Sequence, residues 1–324
     1  MGREYSMDKS FKAVMEHFKK AGDFAPEMVN VGGTLRPQET DKFIDLVVAG
    51  NPILSRVTVD RAQKLTKDVN VWELLREVLQ RVPQGTPPTD HTNLKNIGKK
   101  LEMKDAQLFA RIPFDFLRDN QHRPNLESMV MGRLSTTYGN DVVLLALTGE
   151  DDDYAGKAFK KLNKGWPQLV KEATGSHKID IDDYTGGSPA VVDWEKLFGA
   201  MVEQLPDVYK GDKTAFIMSR GDAEHYQRQI GQTLGGLGYM LDKKNLSYLG
   251  YEIIPLNEMP RGCVLFTPLP NLIYGVNTSM ERYRELSCEE RCIKYTFDSS
   301  FDFQIAADDA AIIAYPHQAE VDEG

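Results

Sequence analysis

The sequence predicts an α+β protein, and three observations carry that reading. The stretch Asn125–Leu147, NLESMVMGRLSTTYGNDVVLLAL, has the apolar period of one long helix. Residues 164–276 alternate short helical and strand-like runs and read as a compact α/β lobe. From Glu281 the chain turns to long strands, Glu285–Phe297 and Phe301–Ala307, followed by an apolar strand at Ala310–Tyr315.

The long helix starts at Pro124 and Asn125 and stops at Gly149, ahead of an acidic run. Met131, Leu134, Tyr138, Val142 and Leu145 recur three or four residues apart, which sets them on one face. At about 1.5 Å per residue the helix is a rod of about 33 Å, the width of a small domain. Gly132 and Gly139 each weaken a helix by about 1 kcal/mol relative to Ala. Their spacing keeps them on one side, where another backbone is expected to approach closely. This is a spine rather than an active site.

Length and composition bound the rest. A chain of 324 residues buries a substantial core and is expected to form two lobes with extensions. Its 41% apolar and 27% charged residues exclude a disordered chain. A net charge of −9 without a long Lys/Arg run argues against a dedicated nucleic-acid grip. An acidic chain can still enclose DNA, provided its inner surface does not hold the phosphates tightly. Three cysteines form no disulfide framework and suit a reducing compartment. The opening MGREYSMDKSFKAVMEHFKK has no apolar signal core, and no apolar run is long enough to span a bilayer. A soluble chain made in a cytoplasm is expected.

Near the start, Phe11, Val14, Met15 and Phe18 share one face of a short helix over 8–21. Docking on a neighbour and packing on its own domain explain it equally well. Gly32-Gly33-Thr34-Leu35-Arg36-Pro37 breaks the chain before a helix over Gln38–Val48, with Phe43, Ile44, Leu46, Val47 and Val48 apolar. A strand-like Ile53–Val59 follows Pro52.

Residues 60–106 are two charged limbs, Arg61–Val82 and Asn93–Gln107, around a tip with strong turn chemistry, PQGTPPTD. The first limb is ambiguous, because Val71, Leu74, Leu75, Val78 and Val82 fit a helix while LREVLQRV also suits an extended edge. Both limbs hold too few apolar residues for a private core. Composition alone favours a disordered surface loop; a projecting hairpin that gains stability from neighbouring subunits also accounts for it. Gln107–Phe116 alternates like a strand. After the spine come an acidic loop (Glu150–Asp153), short helices at Ala155–Leu162 and Trp166–Ala173, a loop at Asp180–Pro189 and a helix at Trp194–Leu205. Then follow a strand at Ala215–Met218, a helix at Ala223–Gln232 capped by Asp222, a loop with Gly235, Gly236 and Gly238, and strands at Tyr251–Pro255, Gly262–Thr267 and Asn271–Val276.

The run YLGYEIIPLNEMPRGCVLFTPLPNLIYGVNTSMERYREL (248–286) resembles the major capsid proteins of tailed bacteriophages, which have the Hong Kong 97 type fold. FIMSRGDAEHYQRQI (216–230) resembles the strand, turn and helix of that family's axial domain. GGTLRPQETDKFIDLVV (32–48) resembles its amino-terminal arm, EVLQRVPQGTPP (77–88) its extended-loop limb, and FDSSFDFQIAADDAAIIAYP (297–316) its closing strands. The resemblance implies an arm at 1–55, an extended loop at 56–106, a peripheral domain at 107–162 with the spine helix, an axial domain at 163–276, and peripheral strands with a tail at 277–324.

It also implies a role. Copies of the chain would form hexamers and pentamers of an icosahedral head, assembled in the host cytoplasm around double-stranded DNA held without sequence-specific contacts. Scaffolding, portal and decoration proteins are the implied partners, with no membrane and no cofactor. Within the extended loop, which in this family lies over an adjacent subunit, Val82, Pro83 and Gly85 are expected to set geometry. Lys95, Lys99 and Lys100 are expected to pair with acids next door, Glu150 to Asp153 among the candidates. Some family members cross-link a loop Lys to an Asn in the late strands, but the window IKYTFDSS (293–300) has no Asn. No isopeptide is therefore expected. The short arm predicts a separate scaffolding protein and an unprocessed chain.

Chemical motifs are weak beside this. Cys288-x-x-x-Cys292 has no second pair, and His225 and His317 lack ligand-like spacing, so it reads as two small apolar side chains in a strand. Asp180, Asp182 and Asp183 lack the Gly and Glu of a calcium loop and read as solvated. GQTLGGLG matches neither a dinucleotide nor a phosphate-loop pattern. Arg220-Gly221-Asp222 reads as a helix start, with Asp222 as cap. No catalytic residue is assigned. A bacterial nanocompartment shell of the same fold, and a cytoplasmic α/β enzyme acting on a metal-phosphate substrate, are the alternative functions.

Overall fold

The computed structural model describes residues 31–34, 37–73, 95–120, 126–151, 158–186, 191–233, 246–287 and 289–316. The helix expected over 8–21, the hairpin tip with Val82, Pro83 and Gly85, Cys288 and the glycines at 235–238 lie outside them.

The first part of the chain holds β1 (Val31–Thr34), α1 (Pro37–Ala49), β2 (Thr58–Ala62), β3 (Thr66–Glu73), β4 (Lys95–Glu102) and β5 (Lys104–Pro113). Next come α2 (Phe114–Asp119), the spine helix α3 (Leu126–Thr148), α4 (Trp166–Glu172), β6 (His177–Asp180), β7 (Thr185–Gly186), β8 (Val191–Val192) and α5 (Trp194–Gln204). The last part runs β9 (Thr214–Ser219), α6 (Arg220–Thr233), β10 (Ser247–Tyr248), β11 (Tyr251–Leu256), β12 (Val264–Pro268), β13 (Leu272–Asn277), β14 (Glu281–Ser287), β15 (Cys292–Ile305) and β16 (Ile312–Tyr315).

Two six-stranded sheets organise these elements. The first has the order β1-β14-β15-β13-β2, with β5 on the other flank of β15. The second has the order β10-β11-β9-β12-β16-β6. Strand alternation divides the core. Ala215 and Ile217 face the cluster shared with α3 and the first sheet, while Phe216 and Met218 face Trp194, Leu197 and Phe198 of α5. Because one apolar cluster touches both sheets, they pack as one body.

The spine runs as expected, and Tyr138, Val142 and Leu145 are buried in the shared core. Leu134 is half-buried against the smaller cluster of Ile112, Ile293, Tyr295 and Phe297. Met131 lies in the helix, with its side chain outside the description. The two helix glycines differ. A Cβ on Gly139 would sit 3.3 Å from the Val47 carbonyl, so α1 crosses there; one on Gly132 would meet nothing within 4 Å. Close backbone approach therefore occurs at Gly139 alone of the two. Past the helix, a Cβ on Gly165 would fall 2.6 Å from the Ala146 carbonyl, and the Gly165 amide donates to Gly149 O at 3.0 Å. Only glycine lets α4 start against the end of the spine.

Several boundaries differ from expectation for local reasons. Ile53 and Leu54 do not start a strand: a turn after Pro52 buries both completely, and the strand begins at Thr58. The first hairpin limb is extended through Glu73. Gln107–Phe116 is not one strand, since Pro113 is extended at φ −63°, ψ 146° and Phe114 opens α2. Ala158 is extended and Phe159–Lys161 forms a single 3-10 turn where a short helix was expected. His177–Asp180 is a strand parallel to β16, ahead of the 182–184 turn within the expected loop. The late strands break at a different place. Arg291 adopts φ +50° in the turn between β14 and β15, and β15 then runs unbroken for 14 residues. The polar pair Ser299–Ser300 does not interrupt it, because their hydroxyls donate to Ala106 O and the Asp105 carboxylate on β5. Helix α6 begins at Arg220, so Asp222 is not its cap. The Ser219 hydroxyl accepts from Asp222 N at 3.1 Å and donates to the Asp222 carboxylate, which also accepts from Gly262 N.

The sheets also exchange two segments relative to the expected division. β13 belongs to the first sheet with β15 and β2, and β16 belongs to the second with β12 and β6. Asn271 holds both crossings. Its Nδ2 donates to Thr267 Oγ1 and Ala307 O, and its Oδ1 accepts from Ala307 N at 2.7 Å.

Candidate subunit-contact surfaces

The hairpin β3–β4 forms its own two-stranded sheet, with Glu73 opposite Lys95 at its far described end and Thr66 opposite Glu102 at its root. The root is less poor in partners than composition suggests. Leu101 is fully buried, and Gly275 makes room for it: a Cβ there would lie 3.0 and 3.1 Å from the Leu101 methyls. Lys99 forms an ion pair with Asp308 of its own chain, the two side chains 18% and 30% exposed. Lys100 is exposed, and its carbonyl accepts from Gln304 Nε2. Glu102 N donates to Asp302 Oδ2 at 2.8 Å. Burial raises the Asp302 pKa, against the opposing pull of the Glu102 and Phe303 amides. Lys95 opens β4, with its side chain outside the description. Glu150, considered as a partner for a neighbour's lysines, pairs with Lys160 at 2.7 Å.

Sequence reasoning missed a second surface, the face of the first sheet turned away from the spine. Pairing sets Phe109 opposite Thr296 and Thr296 opposite Tyr283. Two residues along, Gln107, Asp298 and Glu281 align; two the other way, Arg111, Lys294 and Glu285 do. Side chains alternate along strands, so all three rows share this face, while Leu108, Phe297, Tyr295 and Ile293 point to the core. Phe109 is 69% and Tyr283 42% exposed, an aromatic row between a mainly acidic and a mainly basic one. Tyr283 donates to Glu281, a bond that raises the Tyr283 pKa. Lys294, with Arg111 beyond it, holds Glu290 below the ordinary carboxylate range. The alternation of QLFARIPF carried the signal, since a core-facing Leu108 turns Phe109 to the other face.

Among the described residues, chemistry-bearing groups do not converge elsewhere. Among the described residues no three His, Cys, Asp or Glu side chains are placed to hold a metal. The Asp180 carboxylate accepts from Asp182 N, and Asp182 and Asp183 are exposed. Cys292 is buried in β15. An open cleft on α5, about 490 Å³, is bordered by Asp193, Glu195, Lys196, Glu203 and Tyr248; Asp193 caps the helix and pairs with Lys196. No helix among the described residues is long and apolar enough to cross a membrane.

No family model and no curated protein matches the sequence. Solved structures do match the fold. A chain of the satellite phage P4 procapsid including size determination (Sid) protein superposes with a TM-score of 0.68 at 11% identity, over 95% of this chain and 98% of that one. The capsid of an empty GTA particle gives 0.57 at 11% identity, over 96% and 100%. A virus-like particle from Pyrococcus furiosus gives 0.50 at 10% identity, over 86% and 98%. The first two matches span nearly the whole of both chains, and the chain has the α+β capsid fold of the Hong Kong 97 type that its sequence led us to expect.

Proposed function

We propose that the chain is the major shell subunit of a tailed-phage head, closing as hexamers and pentamers around double-stranded DNA in the host cytoplasm. The observation that carries this reading is near full-length coverage by the P4 procapsid chain. Two surfaces support it: a hairpin whose described strands pair, among the described residues, only with each other, and an open sheet face with exposed Phe109 and Tyr283. In this reading a neighbour's hairpin lies across that face. Val82, Pro83 and Gly85 shape its tip, and Lys95 and Lys100 supply positive charge toward the acidic row. Lys99 drops out of that set because Asp308 already holds it. Many modest junctions, each burying surface on two chains, add up to a strong shell. Scaffolding, portal and decoration proteins complete the proposed partners.

Negative-stain microscopy and sedimentation of the expressed chain test the proposal. Closed particles are expected from the native chain, and soluble unassembled protein after deletion of residues 83–92 or after Phe109→Asp. A native chain that stays a small oligomer in every preparation, scaffolding protein included, would overturn it. The Pyrococcus particle favours a second reading, a nanocompartment shell. Nuclease-protected DNA inside the particles supports the phage head, and enclosed protein supports the compartment.

A further inference from the structure

The hairpin could leave the body at any angle if its root were a simple pair of strands, but the return strand is fixed to the body at four consecutive residues. Lys99 pairs with Asp308, the Lys100 carbonyl accepts from Gln304, Leu101 fills the space over Gly275, and Glu102 N donates to Asp302. Met103 N donates to Leu65 O at 2.8 Å, across the hairpin's own base. The receiving side chains come from one continuous stretch. Asp302 and Gln304 lie on β15, and Asp308 lies in the turn that carries the chain from the first sheet to the second. Asn271 grips that same turn at Ala307. The root is thus referenced to both sheets at once.

We propose that residues 99–103 with Asp302, Gln304 and Asp308 form a clasp that sets the hairpin's direction within the lone subunit. The hairpin is then presented to a neighbour already aimed, which lowers the ordering cost of each junction. The Lys99–Asp308 pair is the part that chemistry can test. It is largely withdrawn from water, so losing one partner strands a charge. Leu101 and the two backbone bonds give affinity for the body, whereas the ion pair fixes the angle from mid-strand, farthest from the base of the four anchored residues. The consequence for assembly rests on the shell reading; the clasp itself does not.

Amide hydrogen exchange on the unassembled full-length chain is the test, comparing native protein with Lys99→Gln, Asp308→Asn and the exchanged double variant K99D/D308K. Exchange across 95–103 is expected to rise at least about tenfold in either single variant, with β9 and β12 unchanged. The exchanged pair should return it to within about twofold of native. Particles from the single variants should be fewer or misshapen, and those from the double variant normal. Native exchange in both single variants would overturn the clasp, as would single variants whose loss the double variant does not repair. If the native chain forms no particles while the exchange pattern holds, the shell reading fails and the clasp stands.

Discussion

The Tyr138 hydroxyl lies 2.8 Å from Ser299 Oγ, joining the middle of the spine helix to the middle of the longest strand. Ser299 passes the chain on to Ala106 O of β5. A buried polar relay therefore registers one helix against two strands. Tyr138→Phe removes its first oxygen and leaves the buried Ser299 hydroxyl one partner short. A loss of about 1–3 kcal/mol is expected, read from urea unfolding midpoints at constant slope. An unchanged midpoint would show that the relay contributes nothing.

Alkaline pH should weaken the fold in a defined window. Burial raises the pKa of Tyr138 and Tyr274, and raises Tyr226 to about 12. A phenol whose folded pKa lies above its unfolded value, near 10, stabilises fully below pH 10. That contribution fades as pH climbs toward the folded value. Burial also raises the Cys263 thiol to about 11, so unfolding midpoints should begin to fall near pH 9 and fall more steeply from about 10 to about 12. Tyr226→Phe should flatten part of the fall; an equally steep profile in that variant would refute its share.

Two glycines, one inside the spine helix and one at the start of α4, should respond oppositely to alanine. Gly132 faces open space within the spine, so Gly132→Ala should gain about 0.5–1 kcal/mol from helix propensity. Gly165 has the Ala146 carbonyl 2.6 Å from where a Cβ would stand. Backbone against backbone has no rotamer to yield, so Gly165→Ala should cost more than about 3 kcal/mol or prevent folding. Thermal unfolding of both variants decides it.

Leu101 and Gly275 are expected to be strongly coupled. Leu101→Ala should cost about 2–5 kcal/mol by opening a cavity at the hairpin root. Gly275→Ala pushes a methyl to 3.0 Å from Leu101 and should also destabilise. Together they should cost at least about 0.5 kcal/mol less than their sum, since the new methyl enters the space the leucine vacates. Strict additivity in a double-mutant cycle would contradict the packing described.

Short-range pattern was enough for much of this molecule. Tyr138, Val142 and Leu145 declared a buried helix face because a 3.6-residue period leaves little else for them to do. The alternation in QLFARIP marked a strand on the same grounds, and the order of helices and strands carried the likeness to capsid subunits. Long-range partners were another matter. Nothing near Lys99 announces Asp308, 209 residues on, and nothing near Tyr138 announces Ser299, 161 residues on. Serines 299 and 300 looked like a strand break until β5 supplied acceptors for their hydroxyls. The exchange of β13 and β16 between sheets likewise depends on Asn271 reaching Ala307, 36 residues away. Periodicity records which way a side chain points; which group it meets depends on how distant segments close around one another, and no local pattern encodes that.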